Sequence, residues 1–267
     1  MIFTLAGVNR EVIIHFCKGW ATQFPSVLTR QKLRERYRSF FNFCISSGWL
    51  DRAPEWPKIQ GDSKAPTLPL SDEEYASLLA AIPKVIKEPV TPTVVNQSHE
   101  YWCARVRGLF QLMRWSGLSI MDALTLERSK LTHTAGRYRI VTSRTKTKTD
   151  VSVVLPPEIA IELLAIPNDN DTYFFWSGEG SPKSICGNWG KRFISPAFEA
   201  AKITNGGYLK AHRLRDTFAC HLLSKGVPMP EVSKLLGHTS IKTTEKHYSA
   251  WVKSRQDRLD ELVMAAW

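Results

Sequence analysis

Apolar residues recur at helical spacing through most of the chain. In QKLRERYRSFFNFCISSGWL, Leu33, Tyr37, Phe40, Phe41, Cys44 and Ile45 fall on one side of a 3.6-residue repeat, which predicts a helix with a buried stripe. The following WPKIQGDSKAPTLPL carries Pro57, Gly61, Pro66 and Pro69 and reads as a linker. Ser71 and Glu74 then form a capping box that starts a new helix. A loose stretch, EPVTPTVVNQSHE, precedes a helix predicted from about Tyr101 to Trp115. The pattern changes in YRIVTS and DVSVVL, two β-rich runs flanking a lysine-bearing tip, as in a hairpin. From Pro157 onward it is mostly helical again, with a glycine-bearing loop at WSGEGSPKS. The division expected is a helical segment over 1–62, a linker over 63–70 and a larger domain over 71–267.

Composition narrows the class of protein. Hydrophobic content of 43% and charged content of 23% in 267 residues are those of a soluble globular chain large enough to build its own core. The formal net charge of +11 suits a polyanion partner, and nucleic acid is the commonest. The segment 1–62 is basic in its own right, and Arg30, Arg34 and Arg38 fall four apart on one helix face with Lys32 and Arg36 nearby. Acidic partners four residues away are largely missing, which favours phosphate contacts over a salt-bridged surface. The five cysteines are scattered without a CxxC, so neither a zinc ribbon nor a disulfide framework is suggested, and a reducing cytoplasmic compartment fits. The first residues lack a basic n-region and a clear cleavage site, and no apolar run approaches a membrane span.

Chemistry concentrates in AHRLRDTFACHLLSKGVPMPEVSKLLGHTSIKTTEKHYSAW. His212 and Arg215 are three apart and share a helix face, while Leu214, Phe218, Leu222 and Leu223 supply the core side. The next predicted helix ends at Gly237, with His238 at the break and Tyr248 ten residues further on. Taken singly, each is an ordinary residue. Four histidines raise the question of a metal, but no HExxH or carboxylate-rich spacing accompanies them, and none is expected.

The ordered set HxLR, LLGH, TTEKHY resembles the C-terminal signature of the tyrosine recombinases, the phage integrase family. The wording HRLRDTFA…LLGHTSIKTTEKHYSAWVKSR is similar to a bacterial integrase-like branch, such as mobile elements carry. The resemblance implies a mainly α, two-domain architecture with a small β-hairpin or sheet. In it, a helical core-binding domain, here apparently shortened, and a catalytic domain clamp double-stranded DNA. It further implies that Tyr248 attacks a phosphodiester to give a 3′-phosphotyrosyl bond without ATP, metal or other cofactor. Arg215 and His238 would bind the non-bridging oxygens, and His212 would support the phosphate or handle the tyrosine proton. A hairpin lysine would protonate the leaving 5′-oxygen; counting back from LPP gives Lys146, with Lys148 the neighbouring alternative. DNA would be held mainly through phosphates, by Arg30, Lys32, Arg34, Arg38 and Lys148, so that binding weakens steeply with salt. The family also suggests a homo-oligomer on DNA, a synaptic tetramer. It suggests too that the tail, with Val252, Leu259, Leu262, Val263 and Ala266 at helical spacing, docks on a neighbouring protomer. A location with the nucleoid in the cytoplasm follows.

One position departs. The family carries a first catalytic arginine in a segment like TGLRISEL, and WSGLSIMDAL aligns with it without a gap, placing Ser119 in the arginine slot and Asp122 in place of the acid. Serine offers one neutral hydroxyl against a guanidinium fork, and loss of such a charge-assisted contact typically costs about 3–4 kcal/mol of transition-state stabilisation. Three accounts stand: a relative that binds DNA but cleaves weakly or not at all, an inactivated variant, or another arginine in the missing role. Arg114 is the substitute favoured here, with Arg105 and Arg107 on the same predicted helix. Ser119 also has the ordinary reading of a helix cap. A type IB topoisomerase activity shares the chemistry and is a third functional reading.

Overall fold

The structure, a computed structural model, describes residues 5–61, 68–86, 98–204, 210–249, 259–260 and 263–267. It comprises two compact units, Met1–Ala65 and Pro66–Trp267.

The first unit contains α1 (Arg10–Cys17), α2 (Trp20–Gln23) and α3 (Val27–Ser46). Asn9 and Ser26 cap α1 and α3 by accepting from the backbone N–H groups of Val12 and Thr29. Aromatic rings cluster in it: Trp20 meets Phe16 edge-on at 5.5 Å, and Tyr37 stacks on Trp56 at 5.9 Å. The stripe predicted on α3 is only partly buried. Phe41 and Cys44 are inside, whereas Tyr37 and Phe40 are exposed. Few neighbouring elements are available to cover a twenty-residue helix, so the inward side narrows to one line of contact.

The second unit begins with α4 (Asp72–Val85), started by the Ser71–Glu74 capping box, in which each side chain bonds the other's backbone N–H. Next, α5 (His99–Ser116) is buried on nearly every side from Arg105 to Ser116. Around it pack α4, α6 (Ile120–Leu124), α7 (Pro157–Leu164) and α10 (Lys210–Ser224). The antiparallel sheet is ordered β1-β2-β3, with β1 (Leu131–Thr134), β2 (Arg137–Ser143) and β3 (Asp150–Leu155). The predicted hairpin is β2–β3, paired from Tyr138–Leu155 to Ser143–Asp150. Val151, Val153 and Leu155 point inward, as a two-residue period requires. β1 adds a third strand across a tight turn in which Ala135 and Gly136 both have positive φ. Beyond it lie α8 (Pro182–Trp189), a π-helical stretch at Gly190–Ile194, and α9 (Ser195–Ala200). The core centres on Phe110, Phe174, Phe175 and Phe198, all fully buried. A second apolar cluster joins Phe218 and Leu223 of α10 to Val232 and Leu236 of α11 (Met229–Leu236), Val153 of β3, and Tyr248 at the end of α12 (Ile241–Tyr248). No helix among the described residues is long and apolar enough to cross a membrane.

Candidate active site

Two helix ends meet at one guanidinium. Gly117 closes α5 and Gly237 closes α11, each in the left-handed conformation that glycine adopts without a Cβ penalty. Arg215, one turn into α10 and buried, donates from Nη1 to the Gly117 carbonyl and from Nη2 to the Leu236 carbonyl at 2.8 Å. Its Nη2 also lies 3.1 Å from His238 Nε2. Arginine has only donors, so Nε2 accepts, and the ring proton sits on Nδ1, which donates to Thr244 Oγ1 at 2.8 Å. Burial, followed by the charges of Arg215 and Arg144, pushes the His238 pKa down to about 4. Arg215 itself is lowered to about 10, by burial first and then by Arg144.

Tyr248 is buried beside them, its hydroxyl donating to Asp216 Oδ1 at 2.7 Å. Burial raises its pKa, and the Asp216 carboxylate raises it further. His212 lies on the same helix, three residues before Arg215 and four before Asp216, and is exposed. α10 and its two successors thus bring Arg215, Asp216, His238 and Tyr248 into one contact network, with His212 on the adjoining turn.

Lys146 and Lys148 are exposed in the loop between β2 and β3. That loop is closed by the N–H of Arg144 on Thr149 O and the N–H of Lys148 on Arg144 O, at 2.8 and 2.9 Å. It meets the end of α11 through Thr147 Oγ1, 3.3 Å from the Gly237 carbonyl. Ser119 is the N-cap of α6. Its hydroxyl accepts from the Asp122 N–H at 3.4 Å and donates to Asp122 Oδ2 at 2.6 Å. The same carboxylate takes the Thr145 N–H at 2.8 Å and is ion-paired with Arg144 at 3.0 Å. Burial acts to raise the Asp122 pKa, but the bonds from Ser119 and Thr145 and the charge of Arg144 hold it below the usual carboxylate value.

The model of the phage integrase family matches residues 70–255. The chain belongs to the phage integrase family. Two relatives of this family member are the tyrosine recombinases XerC of Chlorobaculum tepidum and of Rhodospirillum centenum. The first is 26% identical, with 78% of this chain and 65% of the relative covered. The second is 29% identical, with 82% and 61% covered. The chain therefore spans less than two thirds of the length of either relative. In fold it is similar to the XerH site-specific recombinase solved in a post-cleavage complex with a palindromic difH substrate. That match has a TM-score of 0.66 at 20% identity and covers 96% of this chain and 72% of that one.

The other predicted residues of this integrase family member are distributed as follows. Arg114 is buried on α5, its guanidinium 4.7 Å from the Trp115 ring and 5.9 Å from that of Tyr75. Arg105 is committed to the Pro167 carbonyl and Asn168, while Arg107 is exposed. In the first unit Lys32 and Arg38 are exposed and Arg34 is half-buried, whereas Arg30 donates to the carbonyls of Phe24 and Pro25. Of the tail, Val252 and Leu262 lie outside the described residues, and Leu259 and Val263 are exposed. Among the described residues no three His, Cys, Asp or Glu side chains converge to hold a metal ion. Asp216 and Arg144 were not singled out by the sequence. Asp216 had one available signal, a carboxylate directly after Arg215 on the same turn; Arg144 had none, standing in a run of hairpin cations.

Proposed function

We infer that this chain breaks and rejoins duplex DNA through a covalent bond between Tyr248 and a 3′-phosphate. The observation that carries the reading is the convergence of Arg215, His238, Asp216 and Tyr248 in a chain of the phage integrase family. In the reaction the Tyr248 oxygen forms the bond to phosphorus as the bond to the 5′-oxygen breaks. The tyrosine proton passes to Asp216, which it already faces, or to His212 on the same helix turn. The leaving oxygen takes a proton from Lys146, with Lys148 the alternative donor in the same exposed loop. Charge gathering on the non-bridging oxygens is met by the Arg215 guanidinium and by His238, whose single ring proton shifts from Nδ1 to Nε2, with the Thr244 hydroxyl then donating to Nδ1, when a phosphate oxygen takes the place of Arg215 at Nε2. Residues 71–267 supply this chemistry, and residues 1–62 add phosphate contacts from Lys32, Arg34 and Arg38. Double-stranded DNA is the partner, in keeping with the recombinase names of the relatives and the DNA substrate of XerH.

The test uses a pool of random-sequence duplexes selected for binding to the protein and nicked to trap cleavage. A covalent adduct that survives denaturation is expected with the native chain and absent in Tyr248→Phe. A second reading, a recombinase-like protein that holds DNA without cutting it, is favoured by Ser119. Equal binding without any adduct, in the native chain and in Ser119→Arg alike, establishes that reading and overturns the first.

A further inference from the structure

Ser119 leaves the site one cation short of the family pattern, and the space around it is filled from another element. Ser119 Oγ and Arg144 Nη1 both reach Asp122 Oδ2, at 2.6 and 3.0 Å. The start of α6 and the β2–β3 loop therefore bring a short hydroxyl and a long guanidinium to one carboxylate oxygen. The Thr145 N–H on the other oxygen of Asp122 locks the loop in register, so the arginine head is placed by two contacts rather than one.

The stem of Arg144 crosses the backbone at the end of α11. A Cβ on Gly237 would lie 2.5 Å from Arg144 Cγ and 3.0 Å from Cδ, so only glycine admits the side chain here. Residues on either side of Gly237 hold Arg215: Leu236 through its carbonyl and His238 through Nε2. Arg144 is thus laid against the strip of backbone that positions the buried guanidinium. Its charge is also the largest influence on Arg215 after burial, although two cations at close quarters repel. Such a pair is stable when a dianionic transition state lies between its members.

Arg144 also has donors to offer. Nη1 is buried and ion-paired, but among the described residues it donates no directed hydrogen bond. The alternatives are committed elsewhere: Arg213 to the Leu68 carbonyl and Glu74, Arg105 to Pro167 and Asn168, and Arg114 among the rings of Tyr75 and Trp115.

Resting on the DNA-cleaving reading above, we propose that Arg144 is a catalytic residue that supplies the phosphate-binding guanidinium absent at position 119. The arginine has changed its element of origin, from the start of α6 to the β2–β3 loop, while Asp122 remains the carboxylate that orients it. Ser119 then completes Asp122's hydrogen bonding and leaves room for the incoming side chain.

The experiment compares two substrates built on the position mapped from the adducts, one with an ordinary scissile phosphate and one with a methylphosphonate, which lacks the charge on a non-bridging oxygen. Arg144→Ala is expected to slow adduct formation on the phosphate by about 100-fold or more, yet on the methylphosphonate by less than about fivefold. Lys146→Ala, acting on the leaving oxygen, is expected to be equally slow on both. Placing Ser119→Arg in the Arg144→Ala background is expected to recover most of the phosphate rate. A disturbed fold would lower both substrates together, so an equal defect on the two overturns the proposal, as does native-like cleavage by Arg144→Ala. A native chain that is inert while Ser119→Arg alone forms adducts overturns the role of Arg144 and shows a recombinase scaffold disabled at position 119. If neither forms an adduct, the recombinase reading falls and this proposal with it.

Discussion

His238 is neutral across the physiological range, and that state is tied to folding. Its folded pKa of about 4 lies below the ordinary 6.5, so between those values the unfolded chain binds a proton that the folded chain refuses. The stability contributed is fully present above pH 6.5 and is lost as the pH falls toward 4. Between pH 7 and 5 the loss from this residue is at most about 2 kcal/mol, reduced by solvent screening of the half-buried ring. Thermal melting of the native chain and of His238→Gln at the two pH values checks it. The native protein is expected to lose more on acidification, and parallel losses would remove His238 as the cause. Chain order made Arg215, His212, His238 and Tyr248 legible because they stand in one ordered motif. It could not show that Tyr248 is bonded to Asp216, or that Arg144 reaches Asp122. Both contacts depend on how closely separate elements approach, and no spacing encodes that.

At the scale of elements, the candidate site is built on two helix C-termini. Arg215 satisfies one carbonyl at the end of α5 and another at the end of α11, where the helix dipoles favour a cation. Gly117 makes the first junction possible: its φ is +66°, and a Cβ there would lie 2.4 Å from Phe218 Cδ1. Gly136, with φ +71° and nothing within 4 Å of its added Cβ, separates backbone strain from crowding. Gly136→Ala is expected to cost about 1–2 kcal/mol, the left-handed penalty alone. Gly117→Ala should exceed it by at least about 1 kcal/mol and also reduce adduct formation. Urea unfolding midpoints of the two variants decide this, since equal losses would mean that Phe218 does not constrain the junction. The capping box at Ser71, the β2–β3 hairpin and the inward side of α10 were all readable, because each is set by neighbours in the chain. β1 was not, since LTHT buries only Leu131 and becomes a strand by pairing with β2.

At the scale of the molecule, the described residues of the tail present exposed apolar groups. Leu259, Val263 and Met264 are exposed, and Trp267 is 97% exposed; residues 259–260 and 263–265 are helical. Leu259 and Val263 are four apart, the spacing that sets two side chains on one face of a helix. Apolar side chains so placed gain free energy by burial, and a second copy of the chain bound to the same DNA would offer a surface at high local concentration. Assembly on DNA, up to the synaptic tetramer expected from the family resemblance, is the reading this supports. Exchanging Leu259 and Val263 for glutamate is therefore expected to leave the melting temperature within about 2 °C, since neither residue is in the core. The same change should lower the mass of the protein–DNA complex measured by sedimentation at equal protein and duplex concentrations. If the native chain sediments as one protomer per duplex at every concentration tested, the tail does not join protomers. If instead the variant melts well below the native protein, those side chains pack within their own chain. Only an unchanged melting temperature together with a smaller complex assigns the tail to a neighbour.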